Sequence, residues 1–443
     1  MLKRPGGVAD APQVKLNITE TSFPAPFNQG LEYSSPARGV WNIAHTGFLI
    51  PGAHEIFVCP YGCLRGVVLT AAEMNALDRY SSISISEENV LNGGMESLMI
   101  DGVSDIVERL NPKPPIVLIY ISCQHFFLAY DQDFVFETLR NIYPDICFVD
   151  CYMIPTLRKS GVTPDQKMKA QMHAAWQPVN DRKLDAINLI GSDLPLYEKS
   201  ELRQWMEKSG IRIKEISACK TFEEYMDMQA SGLNIYYEPG AKMAADELEE
   251  RLGMKNLYLT FSFDKEEIID DYKKLAEALD LELPDFSEDI NAMESEIKKA
   301  KEIIGDTEIV LDYTFTFRPL SLAKLLLENG FNVTTVYTDT FVADDRKAYD
   351  WICSEHPDLK IGATNQPEMR YVHENQEQKV LALGQKSAYI RATDYFVNIA
   401  ESGGYFGFRG VAEVFRLMAE AFNEKKDRKA LIQMKGIGCE SCI

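Results

Sequence analysis

The stretch EIVLDYTFTFRPLSLAKLLLENGFNVTTVY, residues 308–337, decides the fold. Its first part, EIVLDY at 308–313, predicts a buried strand, and Pro319 suits the first position of a helix. Leucines repeat on one face of that helix, which ends at Gly330, and the alternating FNVTTVY then predicts a second strand. A strand, a helix and a further strand in this order build a parallel sheet with helices on its faces.

The same order occurs twice more. AINLIG at 186–191 precedes KSELRQWMEKSG and IRIKEI, and IVLIYIS at 116–122 precedes DFVFETLRNIYP and ICFVD. The middle unit continues with a predicted strand LNIYYEP at 233–239, a helix AKMAADELEERLG that stops at Gly253, and a strand LYLTFSF at 257–263. The chain is therefore predicted to be an α/β protein with three Rossmann-like domains, whose ligands bind at the loops after the strands. We expect a first domain over 1–175, a second over 176–300 and a third over 301–408, with a C-terminal helix at 409–443 packing back on the first.

Nucleotide binding by the usual motifs is not expected. No GxGxxG follows a predicted strand, and no GxxxxGK[ST] occurs. The glycine-rich GGYFGFRG at 403–410 follows no strand, so a turn that enters a helix is favoured over a phosphate cradle. Between the middle and last units, residues 264–306 predict two connecting helices with an acidic, solvated face.

The composition excludes several classes of protein. The 443 residues are 46% hydrophobic and 26% charged, which is typical of a globular chain, and the net charge of −21 disfavours nucleic-acid binding. The longest apolar run, residues 114–123, is about half of a membrane span. No secretory signal follows the initial basic pair, so we expect a cytoplasmic protein that does not enter a membrane, with its nine cysteines as thiols or metal ligands.

The cysteines are the strongest candidates for chemistry. CPYGC places Cys59 and Cys63 on a tight turn, and Cys123 ends the strand IVLIYIS at the edge where parallel sheets bind ligands, so three thiols could converge. Four others are expected to be inert core thiols: Cys147, Cys151, Cys219 and Cys353. The terminal pair, Cys439 and Cys442, stays open between a metal ligand, a labile thiol pair and an accident of the tail.

The motifs around these cysteines resemble component 1 of the nitrogenases. CPYGC resembles that family's Gly-Pro-x-Gly-Cys loop, and residues 88–123 resemble its Asn/Asp-Val-x-x-Gly-Gly run that leads through a helix to a strand ending in Thr/Ser-Cys. Shorter likenesses follow in order at FVDCYMIP, NLIG, AADELEERLG and FRPLSLAKLLLENGFNV. The resemblance therefore covers about residues 34–422.

This resemblance implies an iron–sulfur cluster at a dimer interface and an ATP-dependent iron–sulfur reductase (component 2-like) as electron donor. Cys63 and Cys123 match two of the family's cluster ligands. A third family ligand lies ahead of the loop, in a region where this chain has no cysteine, and Cys59 is a candidate to replace it. A 4Fe–4S cluster shared across a homodimer, or with a homologous subunit, is the simpler implication, and a larger eight-iron cluster is the alternative.

The nitrogenase active-site cofactor is held in that family by one Cys and one His. The matching positions here fall near Tyr237 and Asp394, so an iron–molybdenum cofactor held by that pair is not expected. Two weaker catalytic candidates are His125, which could deliver a proton beside a cluster, and Arg318, which could point into a substrate cavity. His45 and His54 flank the cysteine loop, and plain structural histidines are the favoured interpretation.

Three functions remain open from the sequence. The first is a nitrogenase-like oxidoreductase subunit that passes electrons through its cluster to a substrate in the cavity between its domains. The second is a non-catalytic scaffold on which a metallocluster is assembled or carried. The third is a structural sister subunit of a heteromeric reductase.

Overall fold

The computed structural model describes residues 14–27, 43–154, 161–366, 369 and 378–433. Its strands are β1 Lys15–Asn17, β2 His54–Cys59, β3 Tyr80–Ser84, β4 Ile116–Ser122, β5 Cys147–Met153, β6 Lys183–Leu189, β7 Arg212–Glu215, β8 Ser231–Tyr236, β9 Asn256–Tyr258, β10 Glu308–Asp312, β11 Val333–Tyr337, β12 Lys360–Gly362, β13 Val380–Leu383 and β14 Phe396–Val397. Its helices are α1 Ile43–Phe48, α2 Leu64–Glu73, α3 Glu87–Asn92, α4 Met95–Arg109, α5 Cys123–Phe127, α6 Gln132–Ile142, α7 Pro164–Gln171, α8 Glu201–Lys208, α9 Phe222–Asp227, α10 Lys242–Leu252, α11 Lys265–Leu279, α12 Ser287–Ile304, α13 Pro319–Glu328, α14 Arg346–Glu355, α15 Gln385–Ile390 and α16 Gly407–Asn423.

The strands form three sheets, which confirms the predicted fold class. The first has the order β3-β2-β4-β5 and the second the order β7-β6-β8-β9, both wholly parallel. The third has the order β1-β12-β11-β10-β13-β14 and is parallel except for β1, which pairs antiparallel with β12. In each sheet the strand order reverses at one point, where α/β proteins bind their ligands.

The described residues divide into two compact units. One spans 40–195 and 206–259 and holds the first two sheets. The other takes in the described residues before 40, residues 196–205 and the described residues from 260 onward, and holds the third sheet. Buried apolar residues cover both faces of the first sheet, with Phe57 on one face and Ile56 on the other. All residues of β2 and β4 are buried, as expected of central parallel strands.

Two segments lie elsewhere than the sequence suggested. Residues 15–17 were assigned to the first domain, but β1 extends the third sheet through Leu16 opposite Ile361. The C-terminal helix was expected to pack on the first domain, whereas α16 packs on α12 and its Phe415 contacts Phe331.

The predicted helices at 264–306 are present as α11 and α12. The strand expected at 257–263 is short, because β9 ends at Tyr258.

No helix in the described part of the chain has the length and apolar character needed to span a bilayer.

Candidate functional site

Two cysteines follow neighbouring strands at the point where the strand order of the first sheet reverses. β2 and β4 are parallel neighbours with Val58 opposite Ile121, so both end at the same edge. A short 3-10 turn, Tyr61–Cys63, follows β2, and α5 begins at Cys123 directly after β4. The sheet therefore brings the loop that carries Cys63 beside the helix that carries Cys123, which is the position where α/β sheets bind ligands.

The sequence explains why each segment changes direction here. Pro60 follows β2 with a φ of −57° and has no N–H to continue a strand ladder. Ser122 ends β4 in an extended conformation and caps α5, with its hydroxyl and backbone N–H near Nδ1 of His125. Both cysteines therefore leave the sheet at its edge.

The three candidate thiols differ in exposure. Cys63 is exposed, Cys123 is partly exposed and Cys59 is fully buried on the face of the sheet that also carries Phe57. Burial, with smaller contributions from the nearby Cys63 and Cys123 thiols, raises the pKa of Cys59 to about 12. The Cys59 thiol thus lies within electrostatic range of the other two cysteines, but only Cys63 and Cys123 are accessible.

This donor set suits part of a soft-metal site. Thiolates are the ligands of iron–sulfur clusters. Within the described residues, no three His, Cys, Asp or Glu side chains are grouped so that they could hold a metal ion. Cys59, Cys63 and Cys123, which the sequence suggested could converge, do not form such a group among the described residues.

Large exposed apolar side chains lie in the segments that follow β3, β2 and β4. We call the exposed set Tyr61, Leu91, Phe126, Phe127 and Leu128 the edge patch; Tyr61 is 82% exposed and Phe127 77%. Its members follow the carboxyl ends of the adjacent strands β3, β2 and β4. Large apolar side chains exposed along one edge of a sheet are typical of a protein interaction site.

His125 has a structural position rather than one suited to proton delivery. Its ring is almost fully buried, and Nδ1 lies 3.2 Å from the backbone N of Ser122 at the start of α5. Burial lowers the pKa of His125 to about 4. It lies two positions from Cys123 on α5, and side chains at that spacing do not face each other.

The other flanking histidines also have protein partners. His54 Nε2 is 2.8 Å from Ser81 Oγ, and burial lowers its pKa to about 4. His45 Nδ1 lies 3.5 Å from a carboxylate oxygen of Asp193. The favoured interpretation of both as structural residues agrees with these contacts.

The strand order of the second sheet reverses between β6 and β8, and a buried ionic cluster lies there. Lys169 Nζ donates to Glu238 Oε2 at 2.9 Å and to the Gly191 carbonyl at 2.6 Å, and it lies 3.8 Å from Asp193 Oδ1. Asp193 also accepts from the Thr46 hydroxyl. Although burial opposes it, the Lys169 ammonium lowers the pKa of Asp193.

Little space remains at that edge. The cavity lined by Lys169, Thr46 and Asp193 has a volume of about 10 Å³, enough for one water molecule. Tyr237, the position matching the family's cofactor cysteine, is buried with its hydroxyl 3.3 Å from Ser192 Oγ. At the other matching position, the Asp394 carboxylate lies 3.7 Å from Arg428 Nε. Neither residue is a thiol or an imidazole, so these positions do not fit that cofactor.

The sequence suggested that Arg318 could point into a substrate cavity, but its guanidinium is buried among groups of this chain. It is 2% exposed, and its guanidinium donates to Asp345 Oδ1 at 3.0 Å, Glu267 Oε2 at 2.9 Å and the Asp344 carbonyl at 2.6 Å. Since all three nitrogens bind groups of this chain, Arg318 joins the loop before α13 to α11 and to the start of α14.

The glycine-rich segment at 403–410 is a turn that leads into α16, which is the interpretation that the sequence favoured over a phosphate-binding loop. The buried Glu201 carboxylate accepts the backbone N–H groups of Phe408 and Arg409 at the start of α16 and the Tyr272 hydroxyl. Gly407 has a φ of +84°, and a Cβ there would lie 2.1 Å from Glu201 Oε1. A side-chain carboxylate thus occupies the position that an anion would take.

The remaining cysteines fall into two groups. Cys151 is buried, while Cys147, Cys219 and Cys353 are partly buried, and burial is the main cause that raises the pKa of each. Raised pKa values agree with inert thiols. Cys439 and Cys442 lie outside the described residues.

Sequence reasoning missed Lys169, Asp193, Glu238 and Glu201. Each is a charged residue that the fold buries and pairs, and its partner lies far away in sequence. The one available signal was position along the chain. Asp193 closely follows the predicted strand AINLIG and Glu238 lies near the end of the predicted strand LNIYYEP, where α/β sheets place polar groups.

Comparisons with known proteins agree with this architecture. The family model described as nitrogenase component 1 type oxidoreductase matches residues 44–423. The fold is similar to a solved structure titled nitrogenase Cp1 at pH 6.5, with a TM-score of 0.69 and 14% identity over 90% of this chain and 94% of that one. A second solved structure, titled nitrogenase Cp1 at pH 5, has a TM-score of 0.62 and 15% identity over 92% of this chain and 93% of that one. No curated protein matched the sequence.

Proposed function

Because the chain belongs to the nitrogenase component 1 type oxidoreductases, we propose that it is the component 1 subunit of a nitrogenase-like reductase and binds an iron–sulfur cluster through Cys63 and Cys123. The observation that supports this proposal is the position of two accessible thiols directly after the neighbouring parallel strands β2 and β4, at the edge where α/β sheets bind ligands. A cluster there would supply one-electron transfer near the protein surface.

The edge patch supports a cluster at a subunit interface. A cluster bound by Cys63 on its turn and Cys123 at the start of α5 would be open to water, and the apolar side chains of the edge patch would exclude water once another subunit covers them. We propose a homologous component 1 chain, identical or not, as that subunit. The electron donor is an ATP-dependent iron–sulfur reductase, which is the donor that the family implies.

Cys59 is the third candidate ligand. Its closeness to Cys63 and Cys123 supports a role, whereas its complete burial and its pKa of about 12 favour a protonated core thiol. Binding to iron requires the thiolate. We therefore propose Cys63 and Cys123 as the cluster ligands of this chain, and the iron content of Cys59→Ser decides whether Cys59 is a third.

The proposal does not include a nitrogenase-type cofactor held by Cys and His. Tyr237 occupies one matching position, directly after β8, with its hydroxyl 3.3 Å from Ser192 Oγ, and Asp394 occupies the other. The substrate is therefore proposed to be reduced without that cofactor.

Anaerobic purification tests the cluster. The wild-type chain should contain iron and acid-labile sulfide and absorb broadly in the visible range, and Cys63→Ala and Cys123→Ala should each remove most of the iron. Cys353→Ala is the matched control, because Cys353 is a partly buried thiol in the other unit. Wild-type protein that is folded, colourless and free of iron would refute the proposal.

Cys59→Ser extends the same measurement. Unchanged iron content would leave Cys63 and Cys123 as the only ligands at this edge, whereas a loss comparable to that of Cys123→Ala would add Cys59 to the ligand set.

A further inference from the structure

A cleft on the unit that holds the third sheet carries charges of both signs. Its walls are α11 and the turn that leads into α14, and we call it the α11–α14 cleft; it is lined by Thr260, Glu267, Asp270, Asp271, Lys274, Ala343, Asp344, Arg346 and Lys347. Its volume of about 340 Å³ falls within the range of small-molecule sites. We infer that this cleft binds a small zwitterion, a molecule with an ammonium group at one end and a carboxylate at the other.

The two walls differ in the charges that they present. The wall formed by α11 contributes three acids and one base, which are Glu267, Asp270, Asp271 and Lys274. The segment 343–347 contributes one acid and two bases, which are Asp344, Arg346 and Lys347. Because one wall is mainly acidic and the other mainly basic, the cleft is complementary to a ligand that itself has a positive and a negative end.

Asp271 supplies a buried acceptor on the acidic wall. Its side chain is 0% exposed, Lys274 Nζ donates to Oδ1 at 2.8 Å, and Oδ2 has no hydrogen-bond partner among the described residues. A buried polar atom without a partner is costly, so a donor from a bound molecule would stabilise it. Burial also raises the pKa of Asp271 to about 6, and an ammonium group beside it would favour the charged form. The ammonium end is therefore assigned to Asp271.

The basic wall has nitrogens that are accessible to a ligand. Both bonds from Arg346 to Asp350 use Nε, at 3.0 and 2.9 Å, and within the described part of the chain its terminal nitrogens make no ion pair. The Lys347 side chain is 86% exposed and lies 3.8 Å from Glu267, a carboxylate that Arg318 already binds. The terminal nitrogens of a guanidinium can bind a carboxylate with two parallel hydrogen bonds. The carboxylate end is therefore assigned to Arg346 and Lys347.

Two other classes of ligand fit the cleft less well. A metal ion needs several grouped donors, and no three His, Cys, Asp or Glu side chains of the described residues are arranged to hold one. A simple anion such as phosphate would lie against the carboxylates of Asp270 and Asp271, which repel it. A zwitterion avoids both difficulties, because each of its ends meets groups of opposite charge.

Isothermal titration calorimetry on the full chain tests the inference with defined probes. The zwitterions are β-alanine, γ-aminobutyrate and ε-aminocaproate, which differ only in the separation of their two charges. The control probes are the alkylamine and the alkyl carboxylate of the same chain length, each of which keeps one charged end. We expect at least one zwitterion to bind and its two control probes to bind about tenfold more weakly, the effect of losing one charged hydrogen bond.

Two variants locate the site on the protein. Asp271→Asn should raise the dissociation constant of the zwitterion about tenfold, and Arg346→Gln should do the same at an exposed position where the fold does not depend on the side chain. Glu277→Gln on α11 and Lys298→Gln on α12 are the matched controls, because both residues are exposed and lie outside the cleft lining. These two should leave the dissociation constant unchanged.

Binding of a zwitterion that both cleft substitutions weaken would support the inference. It would be overturned if no zwitterion bound at millimolar concentration, or if a control probe bound as tightly as the zwitterion. An unchanged dissociation constant in either folded cleft variant would also overturn it. The measurement does not depend on iron content, so its result is separate from the proposed cluster function.

Discussion

Replacing Arg318 with Met should lower the free energy of unfolding of the unit that holds the third sheet by about 3 to 5 kcal/mol. Met keeps much of the side-chain volume but removes the charge. The partner carboxylate of Asp345 is 0% exposed, so its negative charge would remain buried without the guanidinium beside it. Breaking a buried ion pair by removing one partner has this cost because the other charge is left uncompensated.

The magnitude follows from the contacts. Arg318 makes two charge-assisted bonds, to Asp345 and Glu267, and one bond to the Asp344 carbonyl. Glu267 keeps the Ser262 hydroxyl as a donor, and Asp345 keeps the backbone N–H of Leu320. The loss is therefore dominated by the Asp345 carboxylate.

The variant should also change the pH dependence. Burial raises the pKa of Asp345 to about 6 even though Arg318 opposes the shift. Without Arg318 this pKa rises further, so the folded variant takes up a proton that the unfolded chain does not hold. Its stability should fall as pH rises through neutrality, and the loss relative to wild type should be smaller at pH 5 than at pH 8.

Urea unfolding followed by circular dichroism measures this effect. At a slope of about 2 to 3 kcal/mol per molar urea, the midpoint of the transition should fall by about 1 to 2 M. Arg318→Met combined with Asp345→Asn should recover most of the loss, because the buried charge is then gone. A loss below about 1 kcal/mol, or no recovery in the double variant, would refute the assignment of Arg318 as a structural ion pair.

Three further variants test buried charges elsewhere. Burial raises the pKa of Asp271 to about 6, so its contribution to stability falls as pH rises from about 4 to 6. Asp271→Asn should remove this fall of the urea midpoint with pH, while Asp270→Asn, at an exposed neighbouring position, should keep it. The same pH dependence of the urea midpoint in both variants would contradict this assignment. Glu201→Ala leaves two backbone N–H groups of α16 and the Tyr272 hydroxyl without their acceptor, so it should lower the free energy of unfolding by about 3 kcal/mol or more. The control Glu198→Ala, at an exposed position, should change it little. Lys169→Met should cost about 3 to 5 kcal/mol by the same urea assay, and a change below about 1 kcal/mol would show that its ionic cluster is not stabilising.

Much of the fold was predictable because its signals are local. The strand predicted at 116–122 is β4, and the helix predicted from Pro319 is α13, which begins at that residue. The stop predicted at Gly253 is a left-handed cap of α10, with a φ of 65°. Buried parallel strands require continuous apolar runs and helices require apolar residues on one face, so both patterns appear in the sequence.

The errors arose where distant segments decide the structure. β1 carries no signal for its partner, because three residues can add to any open edge, and its pairing with β12 depends on where the third sheet ends. Phe261 and Phe263 have the composition of a strand but lie beyond the end of β9, since buried aromatic contacts hold them instead.

The candidate site shows the same division. The sequence pointed to Cys63 and Cys123, because a Pro/Gly turn and a strand end are local features. It could not tell that Cys63 is exposed and Cys59 buried, since that depends on which face of β2 meets the core. His125 and Arg318 looked like catalytic candidates for the same reason, as polar residues near strand ends whose partners lie in other elements.

By itself the sequence determined the class of the fold, the order of its strands and helices and the two cysteines at the edge of the first sheet. The tertiary structure decided which charged groups are buried and paired, how much of each thiol is accessible and which apolar side chains remain exposed around them. The physical reason is that periodicity and turn chemistry act over a few neighbouring residues. Burial, ion pairing and pKa depend instead on the segments that the fold brings together, such as Lys169 with Glu238 and Arg318 with Asp345.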